Sequence, residues 1–575
     1  MRWVAFLFSW GMTLAVAAQT NIFLTNPNAE AVLLGNYDPA DYAPATVNTD
    51  PTYLSGVIDG ELSADSLKAI LFELTAFQNR NTGSDTVSAD FGIGAARRWA
   101  HRRFERYAAE SGGRLEVGYL QFDQVICEMA RHRNVVAVLP GSNPAAGSLL
   151  VEAHMDSRCE DRCDTECLAQ GMEDNGSGTA LVLELARVMS TLSLERTVVF
   201  MLTTGEEQGL SGANAFAQYV EDQNIDLRAV FNNDVIGGVI CGETSSAPSC
   251  PGLNDIDSTH VRIFSANFHR SKHKQLARYV KMQYEDELRD QVAVPMDIVL
   301  MSGVDRTGRG GDHIPFSDRD YAAVRFTSAN EHGDAGVSDP DYHDRQHTTT
   351  DELGVDTDAD GVIDSFFVNF NYLRRNAVIN GTATAMAAIS PDAPAFIAED
   401  LGDSVRVTIT DPLDQGPYKV MIITNETDFD TVVTLTNTNN VTLEKTFFLT
   451  YASTARLNAD GVESLFSEEF KPTVVSTEEV PAEVAPPVIL LQNKPNPFDE
   501  ATWITYVVNE PLDYQRAQLH VTDSQGQVIR RLDLRPQLGV NEVLYRHGYG
   551  VAGVYGYQLV IDGIVVASKR MIFAN

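Results

Sequence analysis

Positive charge is scarce in this sequence. Lysine and arginine number 43 against 79 aspartate and glutamate residues, which gives a formal net charge of −36 over 575 residues. This balance disfavours nucleic acid and anionic membrane surfaces as partners. Beyond the N-terminus, no uncharged apolar run reaches the ~20 residues that a helix needs to cross a bilayer, so we expect no stable membrane span. A convincing internal repeat is also absent.

Apolar residues, by contrast, make up 44% of the sequence, which is ample for buried cores and argues against bulk disorder. The length predicts about three domains. Arg2 is followed by the apolar run WVAFLFSWGMTLAVAA, in which Val16 and Ala18 are the small residues expected before a cleavage site. Residues 1–18 are therefore predicted to be a signal peptide, and the mature protein to be secreted or at the cell surface. Residues 19–52 are predicted to be an N-terminal extension or a propeptide.

Cysteine is rare too, with six residues in the whole chain. In an exported protein we expect them to form disulfides. Cys241 and Cys250 flank the segment GETSSAPS and are expected to close it as a loop. The other four allow three pairings: Cys127, Cys159, Cys163 and Cys167. A zinc knuckle in the string CEDRCDTEC is the alternative that the spacing leaves open.

Helix-like and strand-like patterns alternate from about residue 53 to residue 390. ADSLKAILFELTAF and DFGIGAARRWAHRRFERYAAES have helical spacing, whereas RNVVAVLPG, GSLLVEAHMD, RTVVFMLTTGEE and LRAVFNNDV are apolar, β-rich runs. The predicted fold class is therefore α/β, with a mainly parallel central sheet, and such sheets bind ligands beyond the carboxyl ends of their strands. Short alternating strands then predict two all-β sandwich domains, at 391–472 and 488–575, joined by a Pro- and Glu-rich linker at 473–487.

Five metal-binding side chains each follow an apolar run where a strand should end, in the strings VEAHMDS, GMEDNGSGTA, TTGEEQGLSGA, FNNDVIGG and RQHTTTDEL. They are His154, Asp174, Glu207, Asp234 and His347. Together they can form two zinc sites that share one carboxylate, and Asp174, where a loop enters a helix, can bridge the two ions. Their order and spacing favour a hydrolase with two metal ions over unrelated surface side chains.

Two further residues complete the predicted chemistry. Asp156 lies two residues beyond His154, and side chains two apart on a strand share a face, so its carboxylate is predicted to accept the second imidazole N–H. The adjacent Glu206 and Glu207 should point in different directions. We assign Glu206 as the general base, which takes the proton of a water that bridges the zinc ions, and Glu207 as a ligand.

These motifs resemble those of the secreted bacterial zinc aminopeptidases, in the family that also contains the glutamate carboxypeptidases. The likeness rests on H-x-D, D-N-G-S-G, G-E-E-x-G-L-x-G, N-x-D and a late H-T-x-x-D, and it covers about residues 60 to 390. It implies an α/β exopeptidase fold with two zinc ions. The ligand sets that it implies are His154, Asp174 and Asp234 for one ion, and Asp174, Glu207 and His347 for the other.

The sequence departs from the family's pattern at the last ligand, which usually follows a tyrosine but here follows Gln346. A Tyr-His pair at Tyr342 and His343 competes for this role, and we favour His347 because only it precedes Thr-Thr-Thr-Asp. The string GGDHIPF resembles the family's segment beside the substrate pocket. The pocket residues that this likeness implies are Asp312, His313 and Phe316.

The string DTDADGVID carries a separate acidic signal. Four aspartates fall at positions 1, 3, 5 and 9 of a calcium-binding loop, with Gly361 at position 6: Asp356, Asp358, Asp360 and Asp364. Phe367 stands at position 12, where such a loop needs a bidentate glutamate. The sequence leaves a calcium site and a solvated acidic loop as alternatives.

The two β modules also resemble known domains. The last one, with ILLQNKPNPFDEATWITYVV and GVYGYQLVIDGIVVASKRMIF, resembles the C-terminal sorting domain of the type IX secretion system. This resemblance implies passage through that machinery to the outer surface or the medium, with removal of the domain. The middle module, with YASTARLNADGVESLFSEEF, is similar to a fibronectin type III domain.

The function that these patterns predict is a secreted dizinc metallo-aminopeptidase that removes N-terminal residues from peptides or proteins. A carboxypeptidase and a glutaminyl cyclase, which works with one zinc ion, are alternatives on the same fold. A surface adhesin with an inactive peptidase domain is an alternative of another class. Both metal sites are complete in the sequence and Glu206 is intact, which favours the peptidase.

Overall fold

The computed structural model describes most of the chain after the predicted signal peptide. The described ranges are 19–42, 47–241, 255–266, 271–306, 309–329, 345–410, 416–424, 427–445, 450–474, 487–498, 501–509, 511–512, 514–523, 526–547 and 552–573. The predictions for residues 1–18, Cys250, Tyr342, His343 and most of the linker fall outside these ranges. Within the described residues, no helix is both long enough and apolar enough to cross a membrane.

Helices surround a large central sheet. Those in the described residues are α1 (Pro27–Leu33), α2 (Pro51–Glu61), α3 (Ala64–Thr75), α4 (Gly92–Glu110), α5 (Gly178–Met189), α6 (Ser211–Asp222), α7 (Lys272–Glu287), α8 (Ile314–Ser317) and α9 (Phe370–Ile389), with a 3-10 turn at Pro39–Asp41 and a π-helical turn at Met172–Ser177. Several begin at the side chains expected to cap them. Asp50 accepts from Thr52 N at the start of α2, and Ser271 accepts from His273 N at the start of α7.

In the described residues, the central sheet has nine strands in the order β1-β2-β3-β5-β4-β6-β9-β7-β8. They are β1 (Thr20–Leu24), β2 (Glu116–Ile126), β3 (Met129–Leu139), β4 (Ser148–His154), β5 (Thr197–Thr203), β6 (Leu227–Asn233), β7 (His260–Ser265), β8 (Asp297–Leu300) and β9 (Ala323–Ser328). The central four, β5, β4, β6 and β9, run parallel to one another. The predicted α/β fold with its parallel centre is confirmed, while β1 to β3 and β7 join the sheet through antiparallel pairings.

Alternate residues of the central strands enter two different cores. In β5, Val198, Phe200 and Leu202 pack on one side of the sheet, while Val199 and Met201 pack on the other. This is the period of two that an extended strand imposes. Because helices cover both faces, the strands are apolar on both sides, and a polar side chain can reach solvent mainly where a strand ends.

The N-terminal extension takes part in this domain. Strand β1 pairs with β2, and the described residues 27–33 form α1, whose Val32 and Leu33 join the core on one face of the sheet. Residues 20–24 are therefore part of the sheet, and residues 27–33 are part of the layer that covers it.

Within their described residues, the two predicted β modules each contain two packed sheets. In the first, the sheets are β16-β13-β12-β18 and β15-β14-β17, and in the second they are β19-β20-β23 and β22-β21-β24-β25. The strands are β12 (Phe396–Asp400), β13 (Ser404–Ile409), β14 (Tyr418–Ile423), β15 (Thr431–Leu435), β16 (Asn440–Glu444), β17 (Tyr451–Arg456), β18 (Thr473–Val474), β19 (Val488–Leu490), β20 (Ala501–Val508), β21 (Ala517–Thr522), β22 (Val528–Leu534), β23 (Gly539–Arg546), β24 (Gly553–Ile561) and β25 (Ile564–Phe573). A short hairpin, β10 (Gly354–Val355) with β11 (Ser365–Phe366), encloses the acidic loop.

The first sandwich packs tightly on α7. Arg278 of α7 forms a fully buried ion pair with Glu469, and Gln275 Nε2 donates to the carbonyl oxygen of Ser467 at 2.9 Å. Tyr279 stacks edge-on against Phe466 with ring centroids 5.4 Å apart. Removing one partner of a buried ion pair costs about 3–5 kcal/mol. The first sandwich is therefore expected to stabilise the catalytic domain.

Truncation should separate the roles of the two sandwiches. A chain that ends at residue 474 keeps the α7 interface, so we expect its kcat/KM and melting temperature to stay close to those of the full chain. A chain that ends at residue 390 exposes the face of α7 that the sandwich covers, including Tyr279, and leaves Arg278 without Glu469, so it should aggregate or melt at lower temperature. Scanning calorimetry and activity assays on both purified chains test this. Lost activity in the longer truncation would show that the last module supports catalysis.

Candidate metal centre

The structure brings the five predicted metal ligands together at one edge of the sheet. His154 is the last residue of β4, Glu207 lies four residues beyond the end of β5, and Asp234 follows β6 directly. Because these parallel strands end at the same edge, their side chains converge there. Asp174 reaches the edge from the π-helical turn before α5, and His347 from the segment before β10. His347 adopts a left-handed backbone, with φ of 63°.

Asp174 lies between two clusters of donor atoms. Its Oδ1 is 3.1 Å from His154 Nε2, and that same nitrogen is 3.2 Å from Asp234 Oδ1. Its Oδ2 is 3.0 Å from His347 Nε2, which is 3.2 Å from Glu207 Oε2. Each carboxylate oxygen of Asp174 therefore belongs to a different triad, which is the arrangement that a bridging ligand needs.

The donor set fits zinc. In each triad, the candidate ligand atoms lie within 4.8 Å of one another. Imidazole nitrogens and carboxylate oxygens are ordinary zinc ligands. Glu207 Oε1 is buried and has no hydrogen-bond partner in the described part of the chain, although a buried carboxylate oxygen is costly to leave unpaired. A cation held at this place would compensate both this oxygen and the mutual repulsion of the carboxylates.

Glu206 faces the same cluster from a partly exposed position. Burial raises the pKa of its carboxyl well above the ordinary value, the charge of His154 opposes the rise, and the charges of Asp234 and Glu207 add to it. A carboxylate with a raised pKa is a better proton acceptor than one in water. Glu206 is placed to exchange a proton with a molecule bound over the triads.

Asp156 contacts His154 through a different atom from the one predicted. Its backbone carbonyl is 3.1 Å from His154 Nδ1, whereas its carboxylate is 3.7 Å away, too far for a hydrogen bond. The carboxylate instead accepts from the backbone N–H groups of Glu206 and Glu207, at 3.4 and 3.3 Å, and from Thr82 Oγ1. Asp156 therefore orients the imidazole with its main chain and fixes the Glu-Glu segment with its side chain.

Two side chains near His347 hold Asp174. Asp351, the aspartate of the Thr-Thr-Thr-Asp string, accepts from the backbone N–H groups of Glu173 and Asp174 at 2.9 and 3.0 Å. Gln346, which stands where the family usually has tyrosine, donates from Nε2 to Asp174 Oδ2 at 2.8 Å. The segment that supplies one ligand thus also positions the shared one.

A family model described as peptidase family M28 matches residues 134–370. A probable zinc metalloprotease of the fungus Leptosphaeria maculans is 30% identical over 352 residues, which cover 59% of this chain and 78% of that protein. Another, from Pyricularia oryzae, is 32% identical over 347 residues, which cover 58% of this chain and 66% of that protein. The chain belongs to peptidase family M28. This is a family of metallopeptidases, and both fungal relatives are named as probable zinc metalloproteases.

Solved structures to which this chain is similar include an aminopeptidase and a glutaminyl cyclase. The LapA aminopeptidase of Legionella pneumophila has 19% sequence identity and a TM-score of 0.43, over 61% of this chain and 78% of that one. A glutaminyl cyclase from an Acidobacteriales bacterium has 16% identity and a TM-score of 0.38, over 60% of this chain and 97% of that one.

Two arginines of this M28 chain contact the carboxylates of its candidate ligands, and neither was predicted. Arg325, in β9, forms an ion pair with Asp234 at 3.0 Å and holds Asp305 at 2.8 and 2.9 Å. Arg158 Nε donates to Glu207 Oε2 at 2.7 Å. Each carboxylate that belongs to a single triad therefore has an arginine partner. Burial raises the pKa of Asp305, but the charges of Arg325 and Arg306 outweigh it and lower the pKa to about 2.

The predicted pocket residues of the M28 chain lie behind the site, and this prediction was wrong. Asp312, His313 and Phe316 are fully buried. Asp312 accepts from the Thr203 hydroxyl, His313 Nε2 contacts the Val304 carbonyl at 2.8 Å, and Phe316 packs against Phe216 of α6. The chain turns inward after Gly310, which is the residue of this segment that lines the pocket.

The other metal predictions have mixed outcomes. Disulfides join Cys127 to Cys163 and Cys159 to Cys167, so the alternative of a zinc knuckle is wrong. Cys241 is also disulfide-bonded. In the acidic loop, carboxylates of three predicted calcium ligands converge within 4.8 Å: Asp356, Asp358 and Asp360. Asp364 instead accepts from the Thr357 backbone N–H and hydroxyl, at 3.0 and 2.6 Å. Calcium binding stays a prediction.

Proposed function

We propose that the chain is a dizinc metallo-exopeptidase that acts as an aminopeptidase on peptides. The observation that carries this proposal is Asp174, whose two carboxylate oxygens face different, complete triads. One zinc ion would be held by His154, Asp174 and Asp234, and the other by Asp174, Glu207 and His347. When bound, zinc supplies Lewis-acid chemistry that polarises the scissile carbonyl and acidifies the attacking water.

The chain's own residues supply the proton transfers and the geometry. Glu206 accepts the proton of the attacking water and returns it to the leaving amine, so that the amine departs neutral. Asp156 keeps Glu206 and Glu207 in divergent positions by binding both backbone N–H groups. Arg325 and Arg158 each fix one ligand carboxylate. The carboxylates therefore lose less conformational entropy when the metal binds.

The pocket supports action at a chain end. It has a volume of about 210 Å³ in the described residues, and it opens over Asp174, Glu206 and His347. A cavity of this volume accommodates a terminal residue of a substrate better than a polypeptide that extends beyond the site on both sides. The motifs that resemble the zinc aminopeptidases favour the N-terminal end. A glutaminyl cyclase, which works with one zinc ion, has no use for the second triad.

A substrate panel tests this proposal. The zinc-loaded protein should cleave aminoacyl anilides and peptides with a free N-terminus, and 1,10-phenanthroline should abolish cleavage until zinc is restored. N-acetylated peptides with a free C-terminus, and peptides blocked at both ends, are the comparison. Cleavage of the N-acetylated peptides alone would make the protein a carboxypeptidase and contradict the aminopeptidase assignment.

We also propose that the protein is exported. Residues 1–18 have the basic residue and the apolar run of a signal peptide, which favours export. The disulfides favour an oxidising compartment outside the cytosol. The type IX assignment rests on the resemblance of the last module. In the native host, the chain ending at residue 474 should then remain in the periplasm while the full chain reaches the surface or medium. Release of both chains alike would refute the sorting role.

A further inference from the structure

One arginine of helix α4 has no partner in the described part of the chain. The helix is basic, with five arginines and two glutamates, although the protein as a whole is acidic. Arg98 donates from Nη1 to the Thr86 carbonyl at 2.7 Å, and Arg103 forms an ion pair with Glu73 at 2.6 Å. Arg97 makes neither a hydrogen bond nor an ion pair with any described residue, and it is only partly exposed. A charge that is withdrawn from water without a partner costs free energy, so Arg97 is a candidate for binding a ligand.

Arg97 shares its surroundings with a tyrosine and a second arginine. His101, one helical turn further along α4, stacks on Tyr119 of β2 with ring centroids 4.5 Å apart. Arg133 of β3 places its guanidinium carbon 5.5 Å from the centre of the same Tyr119 ring. Residues four apart on a helix lie on one face, so Arg97 is directed toward the same two strands as His101. We call Arg97, Tyr119 and Arg133 the α4 cluster.

Each member of the α4 cluster has donors to spare. A guanidinium has five N–H groups, and Arg97 uses none of them in a bond to a described residue. The Tyr119 hydroxyl likewise makes no hydrogen bond within the described ranges. Arg133 donates from Nε and Nη2 to one oxygen, Gln121 Oε1, at 3.1 and 2.9 Å, which leaves its Nη1 for a ligand. Three donor groups therefore meet between α4 and the sheet.

The charges around Arg97 also favour an anion. Burial lowers the pKa of Arg97 to about 10, and the charge of Arg133 contributes to this fall. No described carboxylate is among the charges that act on Arg97. Two like charges that are close together and partly withdrawn from water repel each other, and an anion bound between them would remove this repulsion.

The α4 cluster lies at the same edge of the sheet as the metal centre, but on the side that α4 covers. Arg133 precedes Asn134, whose Oδ1 accepts from the Thr204 backbone N–H at 3.2 Å. Thr204 is two residues before Glu206. The described lining of the pocket over the triads includes no member of the α4 cluster. The cluster is therefore near the metal centre and separate from it.

We propose that the α4 cluster is a binding site for a tetrahedral oxyanion, phosphate or sulfate, either as the free ion or as an ester. Arginine binds such groups through paired N–H donors, and these charge-assisted hydrogen bonds are stronger than neutral ones. The donors come from a helix on one side and from two strands on the other. They match oxygens that point in several directions better than the two coplanar oxygens of a carboxylate. This inference does not rest on the proposed function.

Calorimetric titration of the full zinc-loaded chain with sulfate and with inorganic phosphate tests the site. The control for Arg97→Met is Arg102→Met, which removes an exposed arginine from the same helix. Binding should weaken by about 10-fold or more in Arg97→Met and stay unchanged in Arg102→Met. Tyr119→Phe keeps the ring that stacks on His101 and removes only the hydroxyl, so binding should weaken by about 5-fold. Anions that bind at the zinc ions do so in all these proteins alike.

Two further ligands define the class of anion. Acetate, which is planar and has two oxygens, should bind the full chain about 10-fold more weakly than sulfate. Glycerol 3-phosphate distinguishes the two sources of the group. Affinity equal to that of phosphate would support a site for a phosphate ester, and much weaker binding would support a site for the free ion.

Melting temperatures in sulfate and in chloride at equal ionic strength separate a binding role from a structural one. Sulfate stabilises most proteins in general, so the quantity of interest is the extra stabilisation of the full chain and Arg102→Met over Arg97→Met. In chloride, Arg97→Met should melt no lower than the full chain, because it removes a charge that has no described partner. An arginine with only a structural role would lower the melting temperature when replaced.

Three results would overturn the inference. They are the absence of sulfate and phosphate binding by the full chain at millimolar concentrations, affinities that Arg97→Met leaves unchanged, and acetate binding as tight as sulfate binding. None of them bears on the peptidase assignment, because the titrations do not depend on catalysis.

Discussion

Replacing Glu206 with glutamine should lower kcat by about 10²-fold or more while both zinc ions stay bound. Glutamine keeps the shape of the side chain but cannot accept a proton from water. The raised pKa of Glu206 and its partly exposed position over the triads single it out as the proton carrier. Steady-state kinetics with metal analysis on the same preparation measures both quantities.

The matched control is Glu207→Gln, next in the chain. Glu207 Oε2 lies 3.2 Å from His347 Nε2, so this change should weaken metal binding as well as activity. If Glu206→Gln loses zinc and Glu207→Gln keeps two ions, then the roles of the two glutamates are the reverse of those assigned.

Replacing His347 with alanine should remove one zinc ion of two and lower kcat/KM by about 10²-fold or more. His347 is the only imidazole in its triad, because the other members are Asp174 and Glu207. The first triad keeps His154, Asp174 and Asp234, so one ion should remain. Zinc content by mass spectrometry, read beside activity, checks the prediction.

Two histidine controls make this result specific. His520→Ala, in the last module, should keep both zinc ions and full activity, since β21 lies outside the catalytic domain. His343→Ala should keep both ions and mainly alter substrate affinity. Loss of zinc from His343→Ala together with retention of zinc in His347→Ala would contradict the ligand assignment.

The metal centre could be predicted because its residues obey two local rules. His154 and Asp234 stand where apolar strands end, and the carboxyl ends of parallel strands meet at one edge. Glu206, Glu207 and Asp174 lie in short motifs whose spacing is characteristic. The structure then brings the five predicted ligands within reach of one another, as the order of the motifs indicated.

The arginine partners could not be predicted in the same way. Arg262 and Arg325 both interrupt apolar strands, which is a visible signal for a buried cation. In the structure, Arg262 donates to the Ser328 carbonyl, whereas Arg325 reaches Asp234 and Asp305. The difference lies in the positions of β7 and β9 in the sheet, and no local pattern encodes it.

The pocket wall and the β2–β3 hairpin escaped prediction for similar reasons. Of the segment GGDHIPF, only Gly310 lines the described pocket, and the side on which Asp312 and His313 point depends on the turn that follows. The β2–β3 hairpin was not predicted because its turn residues, Cys127 and Glu128, adopt positive φ of 45° and 69°. The usual signal for such a turn is asparagine, aspartate or glycine.

The most direct test of the account is a crystal structure of the zinc-loaded chain with anomalous data collected at the zinc absorption edge. We predict two peaks, about 3.5–4 Å apart. One should contact His154, Asp174 and Asp234, the other Asp174, Glu207 and His347, with Asp174 shared. A single peak, or two peaks that do not share Asp174, would contradict the dizinc centre on which the proposed function rests.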